Sequence, residues 1–287
     1  MEKTEQSMKD DDYISVNRQL WNANTNIHVE SSFYNVRGFL VNNNSHTLNP
    51  TELDLLGDTE QKCILHLQCH FGLDTLSLAR LGAKHVTGVD LSNVAIDKAR
   101  KLAIKTNLNY ITEFICCDIY ELEQQLPLEQ DTLFDIVFTS YGTTAWLPDL
   151  TKWARLIEQY LKVGGFFVIV DFHPIVCLFD DAYGPLATHS YFDRGPIIEN
   201  TKGTYADPDA PIENKSVEWN HTMADIITAL IQHNLKIDVF KELDSIPYDV
   251  YPNMCRSSHD GQYRFKNFHG KILLVYAIKA TKITPGN

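Results

Sequence analysis

The run Cys63-Ile64-Leu65-His66-Leu67-Gln68-Cys69-His70-Phe71-Gly72 decides the fold. It begins as an apolar stretch of strand length, Cys63 to Leu67. It then turns and opens straight into a helical pattern, from about Leu73 to Leu81, which Gly82 stops. A buried strand followed at once by a helix is the first half of a crossover unit.

The same beat repeats downstream. His85 to Asp90 reads as a second strand, and Ser92 caps a helix to about Thr106 with Val94, Ala95, Ala99, Leu102 and Ala103 on its apolar side. Phe114 to Cys117 is a third strand, followed by a short helix near Tyr120 to Gln125. Phe134 to Thr139 is a fourth, Pro148 opens a helix to Leu161, and Val163-Gly164-Gly165 turns the chain into a fifth strand, Phe166 to Asp171. Alternating strands and helices with short links predict an α/β fold, a doubly wound parallel sheet coated on both faces.

The flanks are less regular. Upstream, the first dozen residues are charged and are expected to fray. Asp11 to Asn22 reads as a helix with Tyr13, Val16, Leu20 and Trp21 on one face, and Asn49-Pro50-Thr51-Glu52 reads as a helix start with a capping box, stopped at Gly57. Downstream, His173 to Val217 is rich in Gly, Pro, Asp and Tyr. Asn220 is then expected to cap a helix to about His233. Leu235 to Phe240 is a sixth strand, Leu243 to Gly270 is irregular, and Lys271 to Ala280 is the last strand.

The composition bounds the function. A chain of 287 residues is long for one compact domain and short for two, and 44% hydrophobic residues supply an ordinary core. A net charge of −12 disfavours a partner made of nucleic acid, because the long-range field repels polyanions. The polar N-terminus has no signal-peptide stretch, and no window approaches the roughly 20 apolar residues of a membrane span. No membrane partner and a cytoplasmic location are therefore expected. The six cysteines form no Cys-x-x-Cys pair, and Cys255 with His259 is too few ligands for a metal, so no metal site is expected.

Ligands of open parallel sheets bind beyond the carboxyl ends of the strands. Four motifs fall there. The turn Gln68-Cys69-His70-Phe71-Gly72 offers backbone N–H groups at a helix start. Asp90, after the second strand, stands where a carboxylate can accept hydrogen bonds from both hydroxyls of a ribose. Asp118, after the third, can accept from an exocyclic amine while Leu91 and Ile119 sandwich a purine. Ser140-Tyr141-Gly142 follows the fourth strand.

Lys62 to Asp171 resembles the core of the class I S-adenosylmethionine-dependent methyltransferases. Phe134-Asp135-Ile136-Val137-Phe138 resembles that family's fourth-strand motif, and Leu161-Lys162-Val163-Gly164-Gly165-Phe166 its Leu-Lys-Pro-Gly-Gly signature. His-Leu-Gln-Cys-His-Phe-Gly resembles a turn variant of a bacterial subgroup. The resemblance implies a Rossmann-like seven-stranded sheet whose last strand is antiparallel, with S-adenosylmethionine as cofactor. It implies cofactor contacts from Gln68, Cys69, His70, Gly72, Asp90, Leu91, Asp118, Ile119 and Ser140. One departure stands out: the family's Asp-x-Gly-x-Gly-x-Gly becomes His66, Gln68, His70 and Gly72, keeping one glycine. The loss of three of the four motif residues implies a dead cofactor site, or else the new side chains point away or Gln68 and His70 contact the cofactor themselves.

The organisation that follows is an N-terminal helical segment at 1–60, a cofactor-binding core at 61–172, a cap insertion at 173–217, and a completion of the sheet at 218–287 with a second insertion at 243–270. Both insertions leave strands at their carboxyl ends, so they are expected to enclose a small-molecule substrate. Trp21, Phe33, Tyr34, Tyr141, Trp146, Tyr183, Tyr191, Phe192, Tyr248 and Tyr251 are the aromatic candidates for that enclosure. His173 is the best-placed candidate base, with Tyr141 and His221 behind it. The expected activity is methyl transfer to a small molecule. The alternatives are a non-catalytic S-adenosylmethionine-binding module, or a nicotinamide-dependent oxidoreductase with an all-parallel sheet end.

Overall fold

The computed structural model describes residues 12–129, 133–179, 190–268 and 270–284. The expected frayed end lies almost wholly outside them. Three helices come first: α1 (Asp12–Glu30), α2 (Val36–Val41) and α3 (Pro50–Leu56). The crossover units follow as β1 (Cys63–Leu67), α4 (Leu73–Arg80), β2 (His85–Asp90), α5 (Asn93–Lys105), β3 (Thr112–Cys116), α6 (Leu122–Gln125), β4 (Phe134–Ser140), α7 (Leu150–Tyr160) and β5 (Leu161–Phe172). The remainder is β6 (Pro196–Lys202), β7 (Glu213–Trp219), α8 (Met223–Gln232), β8 (Leu235–Leu243), β9 (Met254–Arg256), β10 (Tyr263–Phe265) and β11 (Val275–Lys282).

Seven strands form one sheet in the order β3-β2-β1-β4-β5-β11-β8. The first five are parallel, and β11 runs antiparallel to both β5 and β8. The expected Rossmann-like sheet with an antiparallel last strand is therefore present. Its central strands are buried on both faces, and successive residues alternate between them. Leu65, Leu67, Val137, Phe167 and Ile169 pack with Trp153 and Ile157 of α7 and Leu230 of α8. Ile64, Ile136, Phe138, Val168 and Val170 pack on the other face with Leu55 and Leu56 of α3 and Leu78 of α4.

Polar side chains fix the start of the parallel sheet. Asp135 accepts the Cys63 N–H at 2.8 Å and pairs with Lys162 at 2.9 Å, tying β4 to β1 and β5. At Gly165 a Cβ would lie 2.9 Å from the Asp135 carbonyl oxygen, so only glycine lets β5 pass.

Four expectations change. The fifth strand begins at Leu161, paired with Phe134 ahead of a register shift, rather than at Phe166. The first helix runs on from Asn22 to Glu30, because its inner face is polar: Asn17, Asn24, Thr25 and His28 are all buried. The cap of α8 is Thr222 rather than Asn220. Thr222 accepts the Asp225 N–H at 3.2 Å while Asp225 accepts the Thr222 N–H at 2.9 Å, a capping box. The last strand begins at Val275, opposite Phe172 and Leu243, rather than at Lys271.

The described parts of both insertions carry β-structure. Residues 196–219 form the β6–β7 hairpin, and β9 with β10 forms a second small hairpin within 243–270. Helix α1 holds the first hairpin through Asn17. Its amide donates to the Val217 carbonyl at 2.8 Å and accepts the Val217 N–H at 3.0 Å, as a neighbouring strand would.

Candidate active site

The carboxyl ends of β1 to β5 open into a cavity of about 710 Å³, a size able to enclose a nucleoside and a small second molecule. Its lining includes Gln68, Cys69, His70, Gly72, Asp90, Leu91, Asp118, Ile119, Ser140 and Tyr141. The structure thus brings together every expected cofactor residue, and Tyr141 with them.

The turn after β1 keeps the shape that glycines would give it. Gln68 has φ 53° and His70 has φ 51°, both left-handed, and Gly72 has φ 80°. Left-handed backbone costs a side-chain-bearing residue about 1–2 kcal/mol. Hydrogen bonds hold the turn against that cost. Cys69 N–H donates to the Val89 carbonyl at 2.9 Å, and His70 N–H donates to Asp90 Oδ2 at 2.8 Å. At Gly72 a Cβ would stand 2.6 Å from the Phe114 ring, so that glycine answers to packing between α4 and β3.

The side chains at the two altered positions do not point out to solvent. Gln68 Nε2 donates to the Thr143 carbonyl at 2.9 Å, and its Oε1 is buried without a partner. His70 Nε2 lies 2.9 Å from His28 Nδ1, with Trp21 and Tyr34 edge-on to the His70 ring. Burial lowers the pKa of both imidazoles, that of His28 to about 4, so the pair is neutral near pH 7 and shares one proton between its facing nitrogens. His70 Nδ1 and His28 Nε2 are left buried and unpartnered.

Asp90 is held at both oxygens. Besides His70 N–H at Oδ2, its Oδ1 accepts Ser92 N–H at 2.8 Å. Burial nevertheless raises its pKa to about 6. Asp118 accepts the Tyr120 N–H at 3.0 Å, and burial raises its pKa as well. Each carboxylate retains lone pairs for a donor in the cavity.

Tyr141 is left-handed, with φ 44°, and its N–H donates to the Val170 carbonyl at 2.7 Å. Burial, with the carboxylates of Glu52 and Asp74 nearby, pushes its phenol far above the ordinary range. It therefore stays protonated near neutral pH.

His173 is placed elsewhere. Its ring is buried outside the cavity lining, Nδ1 accepts the Ile175 N–H at 3.2 Å, and Nε2 lies 3.1 Å from Glu242 of β8. Burial lowers its pKa despite Glu242. Both nitrogens are taken by the structure. His221 does line the cavity, with Nε2 2.6 Å from the Leu147 carbonyl, which makes that nitrogen a donor.

Of the aromatic candidates, Trp21, Phe33, Tyr34, Tyr141, Trp146, Tyr248 and Tyr251 line the cavity. Tyr191 and Phe192 do not: the Tyr191 hydroxyl accepts the Met223 N–H at 3.0 Å, and Phe192 is exposed. Tyr183 lies outside the described residues. Tyr205, from the turn between β6 and β7, was not anticipated, and its hydroxyl is hydrogen-bonded to that of Tyr34. Asp74, in the first turn of α4, is a further unanticipated lining residue, with Glu52 of α3 behind it. Glu52 is legible in the sequence only as a cap, and His28 lies past the apolar pattern of α1.

Residues 64–165 match the family model of a methyltransferase domain. The segment covers the turn, Asp90, Asp118, Ser140 and Tyr141. Over 134 residues, 45% of this chain, the sequence is 29% identical to a ubiquinone biosynthesis O-methyltransferase of Neisseria meningitidis, of which 54% is covered. The chain spans about half the length of the curated relatives it matches. The fold is similar to a SAM-dependent methyltransferase of Methanosarcina mazei, with TM-score 0.54 and 20% identity over 82% of this chain and 98% of that one. It is also similar to geranyl diphosphate C-methyltransferase of Streptomyces coelicolor, solved with S-adenosyl-L-homocysteine, with TM-score 0.52 and 14% identity over 81% and 76%. No described helix is long and apolar enough to cross a membrane.

Proposed function

We propose that this protein transfers the methyl group of S-adenosylmethionine to a small-molecule acceptor enclosed in the cavity. The observation that carries the reading is the pair Asp90 and Asp118, at the ends of adjacent strands β2 and β3, opening on one cavity with the turn after β1. Asp90 would accept the ribose hydroxyls. Asp118 would accept the adenine amine, with Leu91 and Ile119 against the ring. The unpartnered Gln68 Oε1 and His70 Nδ1 are buried polar atoms that a ligand would satisfy, so the altered turn contacts the cofactor directly.

The charge of the cavity fits such a ligand. Asp74, Asp90, Asp118, Asp171, Glu199 and Glu218 line it, and among the described residues no lysine or arginine does. S-adenosylmethionine is a sulfonium that supplies an activated methyl group. Trp21, Trp146 and Tyr141 present aromatic surface to a cation. The described parts of the N-terminal segment and of the two insertions act as cover, since Phe33, Tyr205 and Tyr248 come one from each. Enclosure aligns the acceptor with the methyl group, and alignment is worth up to roughly 7–11 kcal/mol of barrier. His173 has no part in the step, because its ring faces Glu242.

The oxidoreductase alternative predicts an all-parallel sheet end and a pyrophosphate cradle. The antiparallel β11 and the acidic lining count against it. Calorimetry with S-adenosylmethionine, S-adenosylhomocysteine and NAD tests the choice, followed by labelled methyl transfer to phenol, amine and thiol panels. Binding of the first two ligands but not NAD is expected. Binding of NAD alone would overturn the reading. Cofactor binding without transfer to any acceptor would favour the non-catalytic module.

A further inference from the structure

The β6–β7 hairpin lies outside the segment 64–165 that matches the methyltransferase model, and it gives the cavity a wall of its own. Ile197 pairs with Glu218 and Glu199 with Ser216, so these four side chains project from one face of the hairpin. Ile197, Glu199 and Glu218 of that face line the cavity. In this register Glu199 and Glu218 are diagonal neighbours, roughly 7–8 Å apart.

No cation stands on this face among the described residues. Lys202 and Lys215 alternate onto the other face, and no lysine or arginine lines the cavity. The remaining carboxylates of the lining are already engaged. Asp171 accepts from Gly142, Thr143 and Thr144, and Asp90 from two backbone N–H groups. Asp118 accepts from the Tyr120 N–H, and Asp74 from the hydroxyls of Thr47 and Ser140.

A neighbouring side chain lacks a partner. Asn220, two residues beyond Glu218, lines the cavity and is 4% exposed. Its Nδ2 donates to the Tyr191 carbonyl at 3.4 Å, which makes Oδ1 the acceptor, and Oδ1 is buried with no hydrogen-bond partner. The stretch is tied on both sides. Asn17 of α1 clamps Val217, and His221 Nε2 donates to the Leu147 carbonyl at 2.6 Å. Glu218 and Asn220 are thus held in place before any ligand arrives. Trp219 and Tyr13, edge to face with centroids 5.1 Å apart, add aromatic surface to the lining.

The atoms offered to a ligand here are acceptors, and two of the groups are acids. An anion is repelled, and a neutral hydroxyl leaves the carboxylates without a counter-charge. A protonated amine brings several donors and a charge that carboxylates and aromatic faces both hold. Burial raises the Glu218 carboxyl to about 7, and an ammonium beside it would favour its ionised form. The hairpin also packs against residues 144–146, which follow β4, whereas Asp90 and Asp118 stand after β2 and β3.

We propose that Glu218, Glu199 and Asn220 form the acceptor subsite, and that the acceptor is an amine-bearing small molecule held there as its ammonium. The proposal rests on the methyl-transfer reading only in calling that molecule the acceptor.

Benzylammonium chloride, benzyl alcohol and sodium benzoate carry one ring with a positive, a neutral and a negative head, and they test the subsite by calorimetry. A pH of about 8 keeps Glu218 ionised and the amine protonated. Each probe is titrated with and without S-adenosylhomocysteine. The wild type should bind benzylammonium about tenfold or more tightly than the other two. The isosteric Glu218→Gln should bring benzylammonium to within about threefold of benzyl alcohol and leave S-adenosylhomocysteine affinity unchanged. Asn220→Ala, which leaves the Thr222 cap in place, should weaken benzylammonium about threefold or more. So should Glu199→Gln, at an exposed position that keeps the test open if Glu218→Gln does not fold.

A wild type with no preference for benzylammonium would overturn the proposal without any variant. An unchanged preference in Glu218→Gln would overturn it too. So would a matching loss of S-adenosylhomocysteine affinity in that variant, which would put the hairpin on the cofactor. A wild type that prefers benzylammonium and binds no S-adenosylhomocysteine would overturn the methyl-transfer reading and leave the ammonium subsite standing.

Discussion

Replacing Asp90 by asparagine separates what this residue does for the fold from what it would do for a ligand. In the protein its two oxygens accept Ser92 N–H and His70 N–H, each at 2.8 Å. An amide keeps one acceptor and turns a donor toward the other N–H, which costs about 1–3 kcal/mol. Asparagine also escapes a penalty. The buried carboxyl moves from 3.8 to about 6, equivalent to about 3 kcal/mol against the folded state at high pH. The two effects oppose, so Asp90→Asn should change stability by no more than about 2 kcal/mol near pH 7.5.

The sign of the pH dependence follows from the raised folded pKa. The folded state binds this proton more tightly than the unfolded chain does. Wild-type stability therefore falls, relative to the variant, as pH rises from about 4 through about 6. Ligand binding has no such offset. If ribose hydroxyls donate to a carboxylate, each bond is worth about 1.5–3 kcal/mol, and affinity should drop about 10²- to 10⁴-fold. Urea denaturation at pH 5 and 7.5 measures the first effect, and calorimetry with S-adenosylhomocysteine measures the second. A folded variant that binds within about threefold of wild type would refute the ribose assignment.

Three other positions give equally direct readings. Gln68→Gly should leave stability within about 1 kcal/mol of wild type, since it relieves a left-handed φ of 53° and loses the Thr143 bond. Gln68→Val should cost about 1–3 kcal/mol, because a β-branched residue resists that conformation; equal melting temperatures for the two would argue against the turn described above. Thr222→Ala should lower stability by about 1 kcal/mol, or about 2–4 °C, while Asn220→Ala should leave α8 capped; the reverse ranking in thermal melts would restore Asn220 as the cap. His173→Gln should keep methyl transfer within about threefold of wild type, since the ring lies outside the cavity. A loss of activity at unchanged melting temperature and cofactor affinity would return His173 to the reaction.

The parallel half of the sheet was legible because its strands are buried on both faces and joined by short links. Cys63–Leu67 and His85–Asp90 could be bounded to the residue from apolar runs and turn chemistry. Asp90 and Asp118 followed from the sheet itself, since a strand end fixes where a side chain emerges. His173 shows where the same rule overreaches. β5 ends beside the antiparallel β11, His173 N–H donates to the Leu274 carbonyl at 2.9 Å, and the ring swings toward Glu242 of β8.

What the sequence hid shares one physical cause. Apolar periodicity finds elements that bury apolar side chains against a core and passes over elements whose buried face is polar or whose contacts are a few distant side chains. The second half of α1 carries Asn24, Thr25 and His28 inward, so it reads as exposed although it covers the turn after β1. β6 is almost wholly exposed along its length, so it shows no alternation, yet its hairpin brings Tyr205 to the Tyr34 hydroxyl. Glu52 satisfies a helix cap, which accounts for it in sequence terms, and only the structure shows that its second oxygen is buried without a hydrogen-bond partner. The residues that were hardest to read are thus those whose partners lie far along the chain, as Tyr205 meets Tyr34 and His28 meets His70, where local periodicity carries no trace of them.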